Sequence, residues 1–251
     1  MADISTIYSD IDAIDSEVSN QFDQLEIART MLLNKAAGGG EDLFAKFCNN
    51  EMTSYSSDEV RGIPQYAFYF NGALTNISCP SCTSIGAYAF QNCRNLSFVY
   101  FPLVQTIGNY AFSSSPITSM QFSGVKTLGN YAFNNTPIAG DIVLPNLTTF
   151  GTASFIKTGI TSVDVYKNAR LTDQLFSGCT NLTRVILRST TVCQLQYTSA
   201  FNNTPFAVGG TGGTVYVPAA LIDSYKAATN WKTLFEAGTC NFVALEGSAF
   251  E

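Results

Sequence analysis

The cysteines are the first residues of this 251-residue chain whose spacing could do chemistry. Cys79, Pro80, Ser81 and Cys82 form a C-x-x-C, the spacing of a redox pair, and Cys93 with Cys48 would complete a four-thiolate zinc site. Aligning the chain on its own internal period argues against both. Cys79 falls where other units carry Phe101, Phe122, Leu144, Val165 and Leu187, and Cys82 falls with Val104, Val125 and Leu147. Cys93 and Cys179 share a column with Ser115, Thr136, Thr158 and Thr204. Such columns call for a small buried residue, and free cysteine commonly serves as a small core hydrophobe. These thiols therefore read as structural, with no metal.

Histidine does not occur in the chain, which removes Ser-His-Asp and Cys-His catalysis and every histidine-based metal site. Carboxylate chemistry is left to Asp141 and Asp164, outward on successive strand segments about 5 Å apart laterally and offset along the strand. Such a pair is the raw material of a glycosidase, but no apolar pocket is evident around them to raise a carboxyl pKa. They read as two solvated acids on a sheet. The run Gly209, Gly210, Thr211, Gly212, Gly213 resembles a phosphate loop in composition. It lacks the following Lys and Ser/Thr and a helix starting on it, so it reads as a plain loop. No catalytic residue, cofactor or metal ligand is assigned, and the chain is not expected to be an enzyme.

The elements that position anything here follow from composition and period. Hydrophobic residues make up 46% and charged ones 13%, enough apolar material for a continuous core and too little charge for a disordered tail. A net charge of −6, with no cluster of Lys or Arg, argues against nucleic acid as a partner. The N-terminal MADISTIYSDIDAID is acidic where a signal peptide starts basic, and no apolar run is long enough to cross a membrane. The expectation is a product without signal peptide or membrane insertion, its seven cysteines reduced. Sequons such as Asn76, Ile77, Ser78 then read as turn asparagines ahead of a strand.

Residues 1–37 stand apart. Ile4, Ile7, Ile11, Ile14, Val18, Gln21, Leu25, Ala28 and Leu32 alternate three and four apart, the seam of an α-helical coiled coil roughly 45 Å long. Isoleucine at both a and d favours trimers, so a parallel homotrimer is expected, with Gln21 fixing register. Asp10 and Asp15 would juxtapose like charges, which leaves the association to the seam. The other reading is one amphipathic helix docked on the chain's own solenoid or on another protein. Gly38, Gly39 and Gly40 supply a hinge. Residues 38–62 as a whole read as hinge and N-terminal cap, with a short helix at Leu43, Phe44 and Phe47 and a strand near Met52 to Val60.

From 63 to 208 one phrase returns: IPQYAF ending at Phe68, IGAYAF at Phe90, IGNYAF at Phe112, LGNYAF at Phe133, FGTASF at Phe155, LTDQLF at Phe176, and a displaced copy at Phe201. The phenylalanines lie 22, 22, 21, 22, 21 and 25 residues apart, which marks a solenoid of about seven units of 21–25 residues. Each unit reads as a short helical turn bearing YAF, a polar turn and a strand. Leu96, Val99 and Phe101 show the L-x-x-L-x-L spacing of leucine-rich repeats, turning three side chains inward and Ser97, Phe98 and Tyr100 outward. The phrase IGxYAFxxCxxLxxVxxP, nearly intact from Ile85 to Pro102, resembles the BspA-like branch of bacterial leucine-rich repeats over about residues 63 to 218. That resemblance implies an α/β repeat fold, a right-handed leucine-rich solenoid, and more loosely a role in adhesion and protein binding. Residues 209–251 resemble a C-terminal cap, with a strand at Thr214 to Pro218, a helix from Ala219 to Phe235, a strand near Asn241 to Leu245, and fraying from Gly247.

What remains for function is the outward column Ser78, Tyr100, Gln121, Val143, Asp164, Ile186, Tyr216, with Phe98 beside Tyr100 and Arg184 beside Ile186. Phe98, Tyr100, Gln121, Asp164, Arg184, Ile186 and Tyr216 are the candidate binding face, the competing reading being that the cap or a neighbouring subunit covers them. A trimeric coil, a hinge and a solenoid on one chain resemble a phage virion fibre, in tail or head. The coil would hold the other virion proteins and the repeats would meet a bacterial surface protein or glycan. The alternative is an intracellular bacterial scaffold using the same sheet face.

Overall fold

The computed structural model describes residues 51–250. The coil expected over 1–37, the hinge glycines and Cys48 lie outside the described residues. The strands are β1 (Ser54–Ser56), β2 (Gly62–Ile63), β3 (Asn76–Ser78), β4 (Ser84–Ile85), β5 (Phe98–Tyr100), β6 (Thr106–Ile107), β7 (Thr127–Leu128), β8 (Ala139–Leu144), β9 (Gly159–Val165), β10 (Arg184–Leu187), β11 (Gly213–Val217) and β12 (Cys240–Ala244). All pairings are parallel. On the leucine-rich side β1-β3-β5 form one sheet and β12-β11-β10-β9-β8 another, while β2-β4-β6-β7 form a second ladder around the corner. The molecule is a parallel solenoid, each turn placing one residue type above the same type.

Inward positions carry the branched and aromatic residues that suit a pleated surface. Leu96, Val99 and Phe101 are buried and Ser97, Phe98 and Tyr100 exposed, as the spacing requires. β1 stands in register with β3, Tyr55 opposite Ile77, and Met52 and Tyr55 are buried. Part of the stretch expected as a cap is therefore a regular rung of the ladder. The rung at Ile117 to Phe122 breaks the pattern: expected as a strand, it joins neither sheet. Met120 stands where other units have Ile77, Val99, Val163 and Val185, and an unbranched side chain favours extended backbone less. The next strand also carries a register shift at Gly140/Asp141 where it pairs with β9, so the irregularity extends one rung past Met120.

The YAF segments are not helical turns. Tyr66, Tyr88, Tyr110 and Tyr131 have φ of 54–59°, a left-handed conformation that costs roughly 1–2 kcal/mol in a residue with a Cβ. The turn is held because alternate backbone N–H groups reach the next unit, while those between them bond carbonyls of their own unit, as Gln91 N does Tyr88 O. Tyr88 donates to Asn109 O at 2.8 Å, Phe90 to Ala111 O at 2.7 Å and Asn92 to Ser113 O at 2.9 Å. The rings then stack in two files. Phe68, Phe90, Phe112, Phe133, Phe155, Phe176 and Phe201 follow one another at 5.1–6.1 Å in the core, and the four tyrosines at 4.8–5.1 Å outside it. Each aromatic pair adds ~0.5–1.5 kcal/mol to the area it buries. Gly86 lets units approach this closely, since a Cβ there would sit 2.4 Å from Gln65 N.

The C-terminal end differs from expectation in two places. The helix expected from Ala219 to Phe235 is two short ones, α1 (Ile222–Ala227) and α2 (Trp231–Glu236). Asn230 separates them in a left-handed conformation, φ 65°, and its Nδ2 donates to Leu195 O and Gln196 O at 3.0 and 2.8 Å. Those bonds fasten the loop to the last repeat. The segment expected to fray from Gly247 is instead folded back, with Phe250 edge-on to Tyr216 at 4.8 Å between centroids.

Candidate binding face

The leucine-rich side presents two different halves. In the N-terminal half Phe98 is 54% exposed, Tyr100 38% and, past the broken rung, Val143 48%. Gln121 is exposed too. Because the rung at Met120 drops out of the ladder, a hollow opens on each side of it. One of about 220 Å³ lies against Phe98, Tyr100 and Gln121. The other, about 280 Å³, lies against Phe122, Asp141, Val143 and Pro145. Met120 lines both. Apolar side chains around two concave spaces suit an anchor residue from a partner.

In the C-terminal half the expected face is closed. Asp164 and Ile186, read as outward and exposed, are 8% and 3% exposed. Arg188 grips Asp164 with two nitrogens, at 2.8 and 2.9 Å, and lies over Tyr166 at 4.7 Å. Arg184 and Tyr216 are half-buried, Arg184 lying 5.5 Å from the ring centre of Phe250. The acids do not form a catalytic pair. Asp141 opposes Ser162 and Asp164 opposes Val143, and each has its own arginine, Arg184 meeting Asp141 at 3.1 Å. Hydrogen bonds from Ser162 and Thr161, then the Arg184 charge, hold the Asp141 carboxyl below its ordinary value. That is the reverse of what a general acid needs.

Cys79, Cys82, Cys93 and Cys179 go where the columns put them, buried, and Cys193 and Cys240 are buried as well. Burial pushes Cys79 and Cys93 up to about 12, away from the thiolate that redox or metal chemistry uses. Among the described residues no three His, Cys, Asp or Glu side chains gather as a metal would require. The Cys93 column also has a property beyond size. Cys93 Sγ donates to Phe68 O and Cys179 Sγ to Phe155 O, at 2.8 and 3.0 Å. Thr136 and Thr158 donate to Phe133 O and Phe155 O. The column selects a small donor that satisfies a buried carbonyl. Gly209 to Gly212 lie in a loop, and Gly213 opens β11. Met120, Arg188 and Phe250 escape the sequence reading: Met120 signals itself as the odd member of a valine and isoleucine column, whereas nothing periodic points to Phe250.

Stacked parallel rungs with L-x-x-L-x-L strands on one side and turns on the other define a leucine-rich-repeat solenoid. The sequence profile described as BspA type Leucine rich repeat region matches in six copies, over residues 61–183 and 105–207, and the chain belongs to that family. No curated protein matches it. Among solved structures it is similar to a leucine-rich repeat protein from Bacteroides ovatus, at 18% identity and TM-score 0.46, covering 66% of this chain and 52% of that one. The T. pallidum leucine-rich repeat protein gives 17% identity and TM-score 0.47, with 76% and 86% covered. The pneumococcal vaccine antigen PcpA gives 13% and 0.40, with 77% and 41% covered. The chain thus spans about half the length of the first of these.

Proposed function

We propose that this is a non-enzymatic binding protein whose partner docks on the open half of the leucine-rich side, around Phe98, Tyr100 and Met120. The observation that carries the reading is the pair of hollows at the broken rung, flanked by exposed Phe98, Tyr100 and Val143. An aromatic or branched anchor filling one would bury apolar area worth ~1.5–3 kcal/mol per side chain. The partner is a protein or glycan of a bacterial surface. The isoleucine seam over Ile4 to Ile14 supports a trimeric virion fibre as the setting, where three weak faces on one stalk act together. Adhesion of the labelled full-length protein to a panel of bacterial cells tests the face: Phe98→Ala with Tyr100→Ala should abolish adhesion while circular dichroism and melting stay unchanged. Undiminished adhesion would reject the face. Sedimentation equilibrium of the full chain tests the setting, and a monomeric mass at high concentration would reject the trimer.

A further inference from the structure

We propose a second binding site, for one carboxylate-bearing sugar unit, in the cleft between the last repeat and the cap. It holds about 460 Å³, within the range of small-ligand sites and ample for a monosaccharide. The second ladder leads to it. Its outward column runs Ser84, Thr106, Thr127, Thr149 and then Arg170, with Gln194 next because Leu171 pairs with Leu195. A file of short hydroxyls thus changes to a guanidinium and a carboxamide where the cap rises beside it, and both line the cleft.

The chemistry around Arg170 selects the ligand. The guanidinium, exposed and in no ion pair among the described residues, matches a carboxylate bidentately. Gln194, Gln196 and Thr229 offer donors and acceptors for hydroxyls, and Val192, Leu195 and Ala228 a short apolar wall for the C–H face of a ring. A plain carboxylate has no use for that polar set. The walls are fixed in advance, which lowers the cost of binding. Trp231 Nε1 donates to Cys193 O at 2.8 Å, Cys193 N donates to Tyr225 Oη at 2.9 Å, and Asn230 is clamped as described above.

Titration calorimetry of the full-length protein with sodium galacturonate and with N-acetylneuraminate tests the site, galactose and acetate being the controls. We expect saturable binding of at least one sugar acid, at least tenfold weaker binding of galactose and of acetate, and at least a tenfold loss in Arg170→Gln with partial recovery in Arg170→Lys. Should Arg170→Gln melt abnormally, Gln194→Ala carries the test with a loss of about threefold or more. The proposal is overturned if neither sugar acid binds, if galactose or acetate binds as well, or if Arg170→Gln or Gln194→Ala, correctly folded, binds like the parent. Phe98→Ala with Tyr100→Ala leaves sugar-acid binding intact, so failure here and failure of the open face are read separately.

Discussion

The two halves of the leucine-rich side are built on one core and end in opposite surfaces. Before the broken rung, outward side chains such as Phe98 and Tyr100 face solvent around hollows. From Asp164 onward the same column is closed: Arg188 pairs with Asp164, Ile186 is buried, and the returning Phe250 lies against Tyr216 and Arg184. The repeat therefore specifies the core and leaves the surface to local additions. A column of outward positions in a solenoid is a set of options, not a site; what surrounds each rung decides which are used.

The sharpest attack on this picture is to remove one ring from the shared core. Phe112→Ala should cost about 3–5 kcal/mol, seen as a lowered denaturant midpoint. If the halves share one core, as the unbroken phenylalanine file implies, a single transition should move; two separate transitions would divide them. Next comes the clamp peculiar to the closed half. Asp164→Asn leaves Arg188 without its charge partner, and because the pair is mostly but not fully buried we expect about 2 kcal/mol, between exposed and buried values. Loss of less than 0.5 kcal/mol in thermal melts would show that Arg188 merely decorates the surface.

A pH test returns to what the halves have in common. Burial raises the thiol of Cys79 and Cys93 in one half and Cys240 in the other from 9.0 to about 12. Above pH 9 the unfolded chain releases these protons while the native one keeps them, so stability is fully present below 9 and falls as pH rises toward 12. The slope is up to about 1.4 kcal/mol per pH unit for each thiol. Equilibrium unfolding between pH 8 and 11 should show the decline, and replacing Cys93 with Ser should lessen its steepness.

The contrast also marks how far the sequence could be read. The inward columns were legible because solenoid stacking repeats the same steric demand every 21 or 22 residues, and Phe90, Leu96 and Val99 answer it visibly. The turns were not. Nothing local in YAF marks a left-handed residue, and Tyr88 in that conformation donates its N–H to Asn109 O of the next unit, a bond that exists only after stacking. The open face was half legible: Phe98 and Tyr100 alternate outward by strand geometry, but the hollows depend on Met120 leaving the ladder. The cover over Tyr216 was illegible, because Phe250 is far along the chain and outside the period. Asp164 found Arg188 by a diagonal reach that no single-strand pattern encodes.

Phe250 gives the next smaller effect, and the most direct test of closure. Phe250→Ala removes a ring packed on Tyr216 and under Arg184, at about 1 kcal/mol for one edge-on pair at a chain end. Its surface consequence should be larger than its stability consequence: an anilinonaphthalene sulfonate dye should fluoresce more as Tyr216 is uncovered. Unchanged dye binding would mean that the arginines alone close this half.

The smallest expected change in stability falls at Tyr100, and its smallness is what makes it informative. The ring is 38% exposed and its column neighbours are Ser78 on one side and Gln121 on the other, so it takes no part in either aromatic file and sits on a rung whose next neighbour has left the ladder. Tyr100→Ala should therefore shift stability by less than about 0.5 kcal/mol, as surface substitutions do. A binding anchor behaves differently, since truncating one commonly costs ~2 kcal/mol or more of affinity, near thirtyfold. Measured together, melting and cell adhesion give a ratio that separates the readings. A large loss of adhesion with an unchanged melt assigns Tyr100 to the face. A shared loss in both would make it a structural residue of the broken rung, and would move the open half's function toward Val143 and the hollow beyond Met120.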